Sequence, residues 1–250
     1  MENLNILPGY LCNLKCTHCL NNSGPDRFGS ELTPTEKNQI ISDLKQFAPP
    51  KLTFTGGEPT LYIALINELI DAHPSISDCD VWITTNGKFA LSFDLALATL
   101  KKFQKLDRVQ MSLDIFHGNI LNKHQVENLN RACESIRIPL VLTMAISNPL
   151  EIVIAKNYTD SLNIKINFQK VGAVGRAREN GIEFKYETFE PEVLSKKCPN
   201  NGAVAYIAGK GYSSCCSSLV FDHDLAGATH KTLDQHLTSP FRQSVLNKTM

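Results

Sequence analysis

Short apolar segments alternate with amphipathic helical segments through the first two thirds of the chain. Apolar residues three and four apart predict the helices, and runs rich in β-branched and aromatic residues predict the strands. Such alternation indicates right-handed strand–helix–strand units and a parallel sheet. Six units are too few for a closed eight-stranded barrel, so we expect an α/β fold with a partial (β/α)6 TIM-like barrel. The predicted strands are Leu4 to Leu11, Lys51 to Thr55, Val81 to Thr85, Val109 to Leu113, Leu140 to Ile146 and Ile164 to Gln169.

The pattern changes near residue 180. Farther on, Gly209 and Gly211 lie between two short apolar runs, which predicts a β-hairpin over residues 203–215. The segment from Thr232 to Leu246 has the pattern of one closing helix. We therefore expect a core domain of residues 1–180 and a small C-terminal β-hairpin/helix extension of residues 181–250.

Charge and hydropathy exclude several classes of protein. The 25 basic residues balance the 25 acidic residues, which argues against nucleic acid as a partner. The sequence has no apolar run long enough to span a membrane, and its first residues lack the features of a signal peptide. We expect a cytoplasmic protein without a membrane partner.

Three of the eight cysteines lie close together near the N-terminus. Cys12, Cys16 and Cys19 have the spacing C-x3-C-x2-C. In a reducing compartment such clusters more often bind metal than form disulfides. Three thiolates can hold three irons of a [4Fe–4S] cluster and leave the fourth iron open for a substrate or cofactor. A zinc loop is the alternative, although structural zinc sites usually use four ligands.

Polar or glycine-rich segments follow three of the predicted strands, where the active site of a barrel lies. The second strand ends in Thr55-Gly-Gly-Glu-Pro59, which combines a flexible backbone with a carboxylate suited to an ammonium group. The third ends in Thr84-Thr-Asn-Gly87, which alone would indicate only a turn. The fourth ends in Ser112-Leu-Asp114, whose two polar side chains share one side of the strand.

These segments and the cysteines, in this order, resemble the signature of the radical S-adenosylmethionine (SAM) superfamily over about residues 4–170. The resemblance implies that Cys12, Cys16 and Cys19 are the catalytic cysteines and ligate a [4Fe–4S] cluster. Reductive cleavage of SAM would give a 5′-deoxyadenosyl radical that abstracts a substrate hydrogen, with electrons from a flavodoxin- or ferredoxin-type donor. The SAM-binding residues that the resemblance implies are His18, Gly56, Gly57, Glu58, Pro59, Thr85, Asn86, Ser112, Asp114 and Gln169.

The C-terminal cysteines resemble the start of a truncated SPASM or twitch extension, which holds auxiliary iron–sulfur clusters. Cys198 precedes the predicted hairpin, and Cys215 and Cys216 follow it. A full SPASM extension supplies about seven cysteines, so three leave several alternatives open. They bind a second, auxiliary cluster, or the extension holds no metal, or one thiol donates a hydrogen atom to a substrate radical.

The resemblance constrains the substrate less than the chemistry. A short chain with a hairpin extension favours modification of a ribosomally made peptide or a protein side chain by crosslinking, epimerisation or oxidation. Because no leader-recognition domain precedes the first strand, a separate peptide-recognition protein is an expected partner. The first alternative is a sugar or cyclitol dehydrogenase or epimerase. A non-enzymatic zinc or iron–sulfur protein is more remote, since it would not need Gly56 to Pro59.

Overall fold

The computed structural model describes residues 1–117, 123–185, 192, 195–198, 201–214 and 218–247. The strands are β1 (Asn3–Leu7), β2 (Lys51–Phe54), β3 (Asp80–Thr85), β4 (Arg108–Ser112), β5 (Leu140–Ile146), β6 (Lys165–Lys170), β7 (Ala203–Ile207) and β8 (Gly211–Ser213). These described strands form a mainly parallel sheet in the order β6-β5-β4-β3-β2-β1-β7-β8, in which only β7 and β8 pair antiparallel. The helices are α1 (Pro34–Phe47), α2 (Ile63–Asp71), α3 (Phe93–Leu100), α4 (Lys123–Ser135), α5 (Glu151–Leu162), α6 (Arg176–Glu179), α7 (Ser218–Phe221), α8 (Leu233–Thr238) and α9 (Pro240–Asn247).

Local sequence signals fix where the first helix begins and ends. The Thr33 side chain accepts a hydrogen bond from the Glu36 backbone, and the Glu36 carboxylate accepts one from the Thr33 backbone. This capping box satisfies N–H groups that have no partner inside the helix. Ala48 adopts the left-handed conformation and ends the helix before two prolines. Within these bounds, Ile40 and Leu44 of α1 are fully buried in the main hydrophobic core.

The two faces of the sheet differ in polarity. Along each strand successive side chains point to opposite faces. One face carries Ile6, Phe54 and Ile83, which are fully buried in the main hydrophobic core with the helices. The other face carries polar side chains, including Asn5 and Thr53, that line a cavity inside the barrel. The apolar face therefore packs the core, and the cavity on the polar face can hold a ligand.

The predicted α/β architecture is confirmed, and so are the six core strands within a few residues. The predicted hairpin exists too, but it does not stand apart from the barrel. β7 pairs in parallel with β1 over five residues, so the described sheet has eight strands. A partial barrel leaves the edge of β1 with unpaired backbone groups, and β7 satisfies them.

The predicted closing helix is interrupted. Ser239 has an extended conformation, with φ −68° and ψ 148°, and Pro240 begins α9. Proline has no backbone N–H and disfavours a helical residue before it, so one continuous helix cannot form there. In the described residues, no helix combines the length and the apolar character needed to cross a bilayer.

Candidate active site

Cys12, Cys16 and Cys19 lie in the loop that follows β1, at the carboxyl edge of the sheet. All three line one cavity of about 270 Å³, which we call the cysteine cavity. Cys12 is buried, and its burial raises the pKa of the thiol to about 11. Cys16 and Cys19 are half-buried. Three thiols that converge on one open space can bind a metal cluster there and leave room beside it.

The glycine pair after β2 allows the cysteine loop to lie against the strand end. Gly56 has φ of +111°, a conformation that other residues rarely adopt. A Cβ atom on Gly57 would lie 1.9 Å from the carbonyl oxygen of Leu11. The Gly57 and Glu58 N–H groups donate to the carbonyls of Gly9 and Leu11 at 3.0 and 2.9 Å. The glycines therefore bring two backbone segments together, in addition to lining the cavity.

Glu58 joins the ends of β2 and β3. Its carboxylate accepts hydrogen bonds from the Thr85 hydroxyl at 2.6 Å and the Asn86 N–H at 2.9 Å. The hydroxyl and N–H of Thr60 also donate to it. Burial raises the pKa of Glu58, and these hydrogen bonds oppose the rise. Glu58 lines the cysteine cavity. The next residue, Pro59, is buried at the start of a one-turn helix.

Asn86 connects the end of β3 to the cysteine loop. Its side-chain amide donates to the Asn13 side chain at 2.8 Å and to the Cys12 sulfur at 3.6 Å. The Asn-Gly turn predicted from the sequence is thus also a contact to the first cysteine. A hydrogen bond to a thiolate sulfur would favour the charged form that binds metal.

Ser112 and Gln169 line the cysteine cavity, as does His117. Asp114 is buried and accepts hydrogen bonds from the ring of His117, at 2.7 Å, and from three backbone N–H groups. Burial lowers the pKa of His117, but Asp114 and Cys16 raise it more, to about 10. The same pairing holds the pKa of Asp114 below its ordinary value although burial alone would raise it. Asp114 thus contacts His117 rather than lining the cavity.

His18 lies beside this pair. Its ring stacks on Phe116, with the ring centres 4.5 Å apart. Burial lowers the pKa of His18 to about 4, so the ring is neutral near pH 7. Its Nδ1 atom is buried and has no hydrogen-bond partner among the described residues. A buried ring nitrogen without a partner next to the cysteines marks a place for a polar ligand.

Arg176 reaches the cysteine loop from the segment after β6. Its guanidinium donates to the carbonyl oxygens of Cys16 and Ser23, both at 2.6 Å, and its backbone N–H donates to Cys19. Sequence reasoning missed this role because a glycine–arginine segment is equally compatible with a surface arginine. The sequence signal that could have found it is the glycine immediately before Arg176. In the structure, a Cβ atom on Gly175 would overlap the Leu20 carbonyl oxygen, so the glycine allows this segment to lie against the cysteine loop.

The C-terminal cysteines are only partly described. Cys198 is half-buried and has a free thiol. Cys215 and Cys216 lie outside the described residues, so their proposed cluster remains a prediction.

The residues of the cysteine cavity fit a [4Fe–4S] cluster and SAM. Three soft thiol ligands line it together with the Glu58 carboxylate, and the unpartnered His18 nitrogen is buried beside it. The sequence matches the family model described as the radical SAM superfamily over residues 6–138, more than half of the 250-residue chain. The chain belongs to the radical SAM superfamily. Enzymes of this family use a [4Fe–4S] cluster and SAM.

Individual relatives of this radical SAM protein differ in what they do. A GTP 3′,8-cyclase of Limosilactobacillus fermentum is 27% identical over 223 residues, which cover 81% of this chain and 64% of the cyclase. YydG of Bacillus subtilis (strain 168), named for peptide biosynthesis, is 26% identical over 247 residues, covering 94% of this chain and 73% of YydG. The chain thus spans less than two thirds of the cyclase.

A solved structure shows the same fold. Native anSMEcpe with bound AdoMet superposes with a TM-score of 0.61, covering 97% of this chain and 82% of that one. The sequences are 16% identical, so the likeness shows the fold alone. This likeness supports the partial-barrel architecture. It does not confirm a SPASM extension.

Proposed function

We propose that this chain is a radical SAM enzyme that modifies a ribosomally made peptide or a protein side chain. The observation that carries the proposal is that Cys12, Cys16 and Cys19 line one cavity with Glu58 and Asn86 at the carboxyl edge of the sheet. When bound, the cluster supplies the electron that cleaves SAM and so generates the radical that abstracts a substrate hydrogen.

The chain's own residues have separate tasks in this proposal. The three cysteines bind the cluster, and Asn86 orients Cys12 through its amide. Glu58 and Gln169 offer acceptors to the polar groups of SAM from two sides of the cavity. His18 is neutral and can accept or donate a hydrogen bond through its unpartnered nitrogen. The Thr85 hydroxyl fixes the Glu58 carboxylate at 2.6 Å.

Two observations favour a peptide substrate. The similarity to YydG extends over 94% of this chain, including the residues after the barrel core. A second cavity, of about 440 Å³, lies inside the barrel and shares Asn21, Thr55 and Gln169 with the cysteine cavity. A polar space next to the SAM pocket can admit a side chain or a short stretch of peptide.

The test uses candidate peptides encoded by short reading frames beside the gene. The reconstituted enzyme is incubated anaerobically in D2O with SAM, dithionite and each peptide, and the peptides are analysed by mass spectrometry. Crosslinking or oxidation removes hydrogen from the peptide, whereas epimerisation leaves one deuterium on carbon. Modification of one peptide by the wild type but not by Cys16→Ala supports the proposal. No modified peptide, together with turnover of a small molecule, contradicts it.

A small-molecule substrate is the second candidate. The similarity to GTP 3′,8-cyclases favours it. A sugar or cyclitol dehydrogenase or epimerase belongs to this class. Stimulation of 5′-deoxyadenosine formation by GTP or by a sugar alcohol, and by no peptide, would select it.

Several further features are part of the same proposal. We propose that residues 1–180 form the core and residues 181–250 the extension, that the protein is cytoplasmic and that a flavodoxin- or ferredoxin-type protein reduces it. A peptide-recognition protein is a further proposed partner. An auxiliary cluster at Cys198, Cys215 and Cys216 is tested by counting iron in a variant without Cys12, Cys16 and Cys19. About four residual irons per chain would support that cluster, and none would reject it.

A further inference from the structure

The cavity inside the barrel, which we call the interior cavity, has a positively charged end. Its volume is about 440 Å³, and the residues around it come mainly from the polar face of the sheet. Lys51 and Trp82, at the start of β2 and in β3, line the end away from the cysteines. The interior cavity as a whole is also lined by polar side chains, which include Asn3, Asn5, Thr53, Thr84, Gln110 and Ser214.

Two cations lie over the ring of Trp82. The Lys51 Nζ is 2.9 Å from the ring centre, and the guanidinium carbon of Arg108 is 4.1 Å from it. The indole N–H donates to Asp80 at 2.6 Å. Around the Trp82 ring, Asp80 is therefore one acidic group beside two basic ones.

Neither cation has a carboxylate within ion-pair distance in the part of the chain that the structure describes. Burial lowers the pKa of Lys51, Asp80 opposes that change, and Arg108 adds to it. The Nε atom of Arg108 is buried without a described hydrogen-bond partner. Half-buried cations without a counter-ion are costly unless a ligand supplies the negative charge.

The strand geometry sets the distance from this charge to the reaction site. Lys51 precedes Thr55 by four residues, and Thr55 lines both cavities. A strand rises about 3.3 Å per residue, so the two Cα positions are roughly 13 Å apart. The Lys51 side chain extends into the interior cavity and shortens this distance. A ligand that reaches from Lys51 to the cysteine cavity must therefore be on the order of 10 Å long.

We propose that Lys51 anchors a carboxylate of the substrate at the end of the interior cavity away from the cysteines, with Arg108 adding to the positive potential. This inference rests on the proposed function, since it defines the substrate of that site. In a peptide, the carboxylate belongs to an acidic side chain or a chain terminus about three residues from the modified residue. A small carboxylic acid offers the same group, so the binding test includes both sources.

Trp82 provides a local probe, because it is the one tryptophan of the sequence. Quenching of its fluorescence by iodide is compared with quenching by neutral acrylamide in the reconstituted holoenzyme. The ratio of the two quenching constants reports local positive charge and corrects for exposure of the ring. We expect the ratio to fall at least about twofold in Lys51→Gln and to be retained in Lys51→Arg. The surface variant Lys101→Gln is the matched control.

Binding is then measured by the same fluorescence with three compounds. They are acetyl-Ala-Ala-Ala-Glu-amide, its glutamine counterpart and glutarate. We expect the glutamate peptide to bind about tenfold more tightly than the glutamine peptide, and this preference to disappear in Lys51→Gln. Tighter binding of glutarate than of the peptide would assign the anchor to a small acid.

An unchanged quenching ratio in Lys51→Gln, or equal affinity for the glutamate and glutamine peptides with no glutarate binding, would overturn the inference. These measurements do not depend on radical chemistry. Anion binding without peptide modification would therefore contradict the proposed function but leave the anchor in place. Peptide modification that does not depend on the acidic residue would support the proposed function and contradict the anchor.

Discussion

The guanidinium of Arg176 lies 2.6 Å from the carbonyl oxygen of Cys16, a residue 160 positions earlier in the sequence. The same group holds the Ser23 carbonyl, and so it joins both sides of the loop that carries the three cysteines. Arg176 is a positioning residue, because it contacts the backbone of the loop rather than a thiol. The segment after β6 thereby fixes the shape of a site formed after β1.

Arg176→Gln is expected to reduce iron content after reconstitution and to lower the free energy of unfolding by about 3 kcal/mol, since two charge-assisted hydrogen bonds are lost. Arg176→Lys should recover only part of both, because an ammonium lacks the fork geometry that reaches two carbonyls. Iron analysis, the spectrum of the reduced cluster and urea unfolding check this. Arg131→Gln, on the exposed face of α4, is the control. Equal iron content and spectra in Arg176→Gln and the control would contradict the assignment.

Glu58→Gln tests the acceptor at the end of β2. The carboxylate accepts four hydrogen bonds, whereas an amide offers one oxygen and turns two donors toward the remaining N–H and hydroxyl groups. We expect a loss of about 2–4 kcal/mol in the free energy of unfolding. We also expect at least a tenfold rise in the dissociation constant for SAM, measured by equilibrium dialysis. The exposed change Glu134→Gln should alter neither, and unchanged SAM affinity in Glu58→Gln would exclude a contact to SAM.

Gly57→Ala tests the close approach between the strand end and the cysteine loop. A methyl group there would overlap the Leu11 carbonyl oxygen, so the loop must move. We expect destabilisation by about 3 kcal/mol or more, with loss of cluster binding. At Gly172 the nearest atom to an added Cβ is 4.0 Å away, which makes Gly172→Ala the matched control. Equal melting temperatures for the two variants would show that the contact is dispensable.

His236 makes stability depend on pH. It is fully buried beside His230, Ser214 and Arg242, and burial lowers its pKa to about 4. The unfolded state therefore binds more protons between about pH 4 and pH 6.5, and stability rises with pH across that window. Acidification from pH 7 to pH 4 should remove up to about 3 kcal/mol through this residue. In His236→Gln the corresponding slope of unfolding free energy against pH should be absent, and an unchanged slope would refute the assignment.

The sequence predicted the parts of this molecule that depend on local patterns. The capping box at Thr33 and the alternation of strands and helices follow from short-range chemistry. The motifs also predicted which strand ends carry polar groups. The parallel pairing of β7 with β1 was not predictable, because it joins residues about 200 positions apart and needs only ordinary strand residues. The contact of Arg176 with the Cys16 carbonyl was missed because it also joins residues far apart in the sequence. The contact of Lys51 with Trp82 likewise joins two different strands and has no local sequence signal.

The outcome at Asp114 shows a further limit. The sequence placed it on the same side of the strand as Ser112, and a SAM-binding role for both remains a prediction. In the structure Asp114 accepts a hydrogen bond from His117 at 2.7 Å, while Ser112 lines the cavity. Leu113, between the two, is fully buried in the main core, and His117 lines the same cavity as Ser112. The strand rule gave the side of the sheet, but it could not show that His117 stands between Asp114 and the cavity.

The central claim is that Cys12, Cys16 and Cys19 hold a cluster that cleaves SAM. The most direct measurement is 5′-deoxyadenosine formed by the anaerobically reconstituted protein with SAM and dithionite. The account predicts formation of this product in the wild type and in Cys133→Ala, which changes a buried thiol of α4, and none in Cys16→Ala. A wild-type protein that binds zinc and forms no product would contradict it, as would undiminished product in Cys16→Ala.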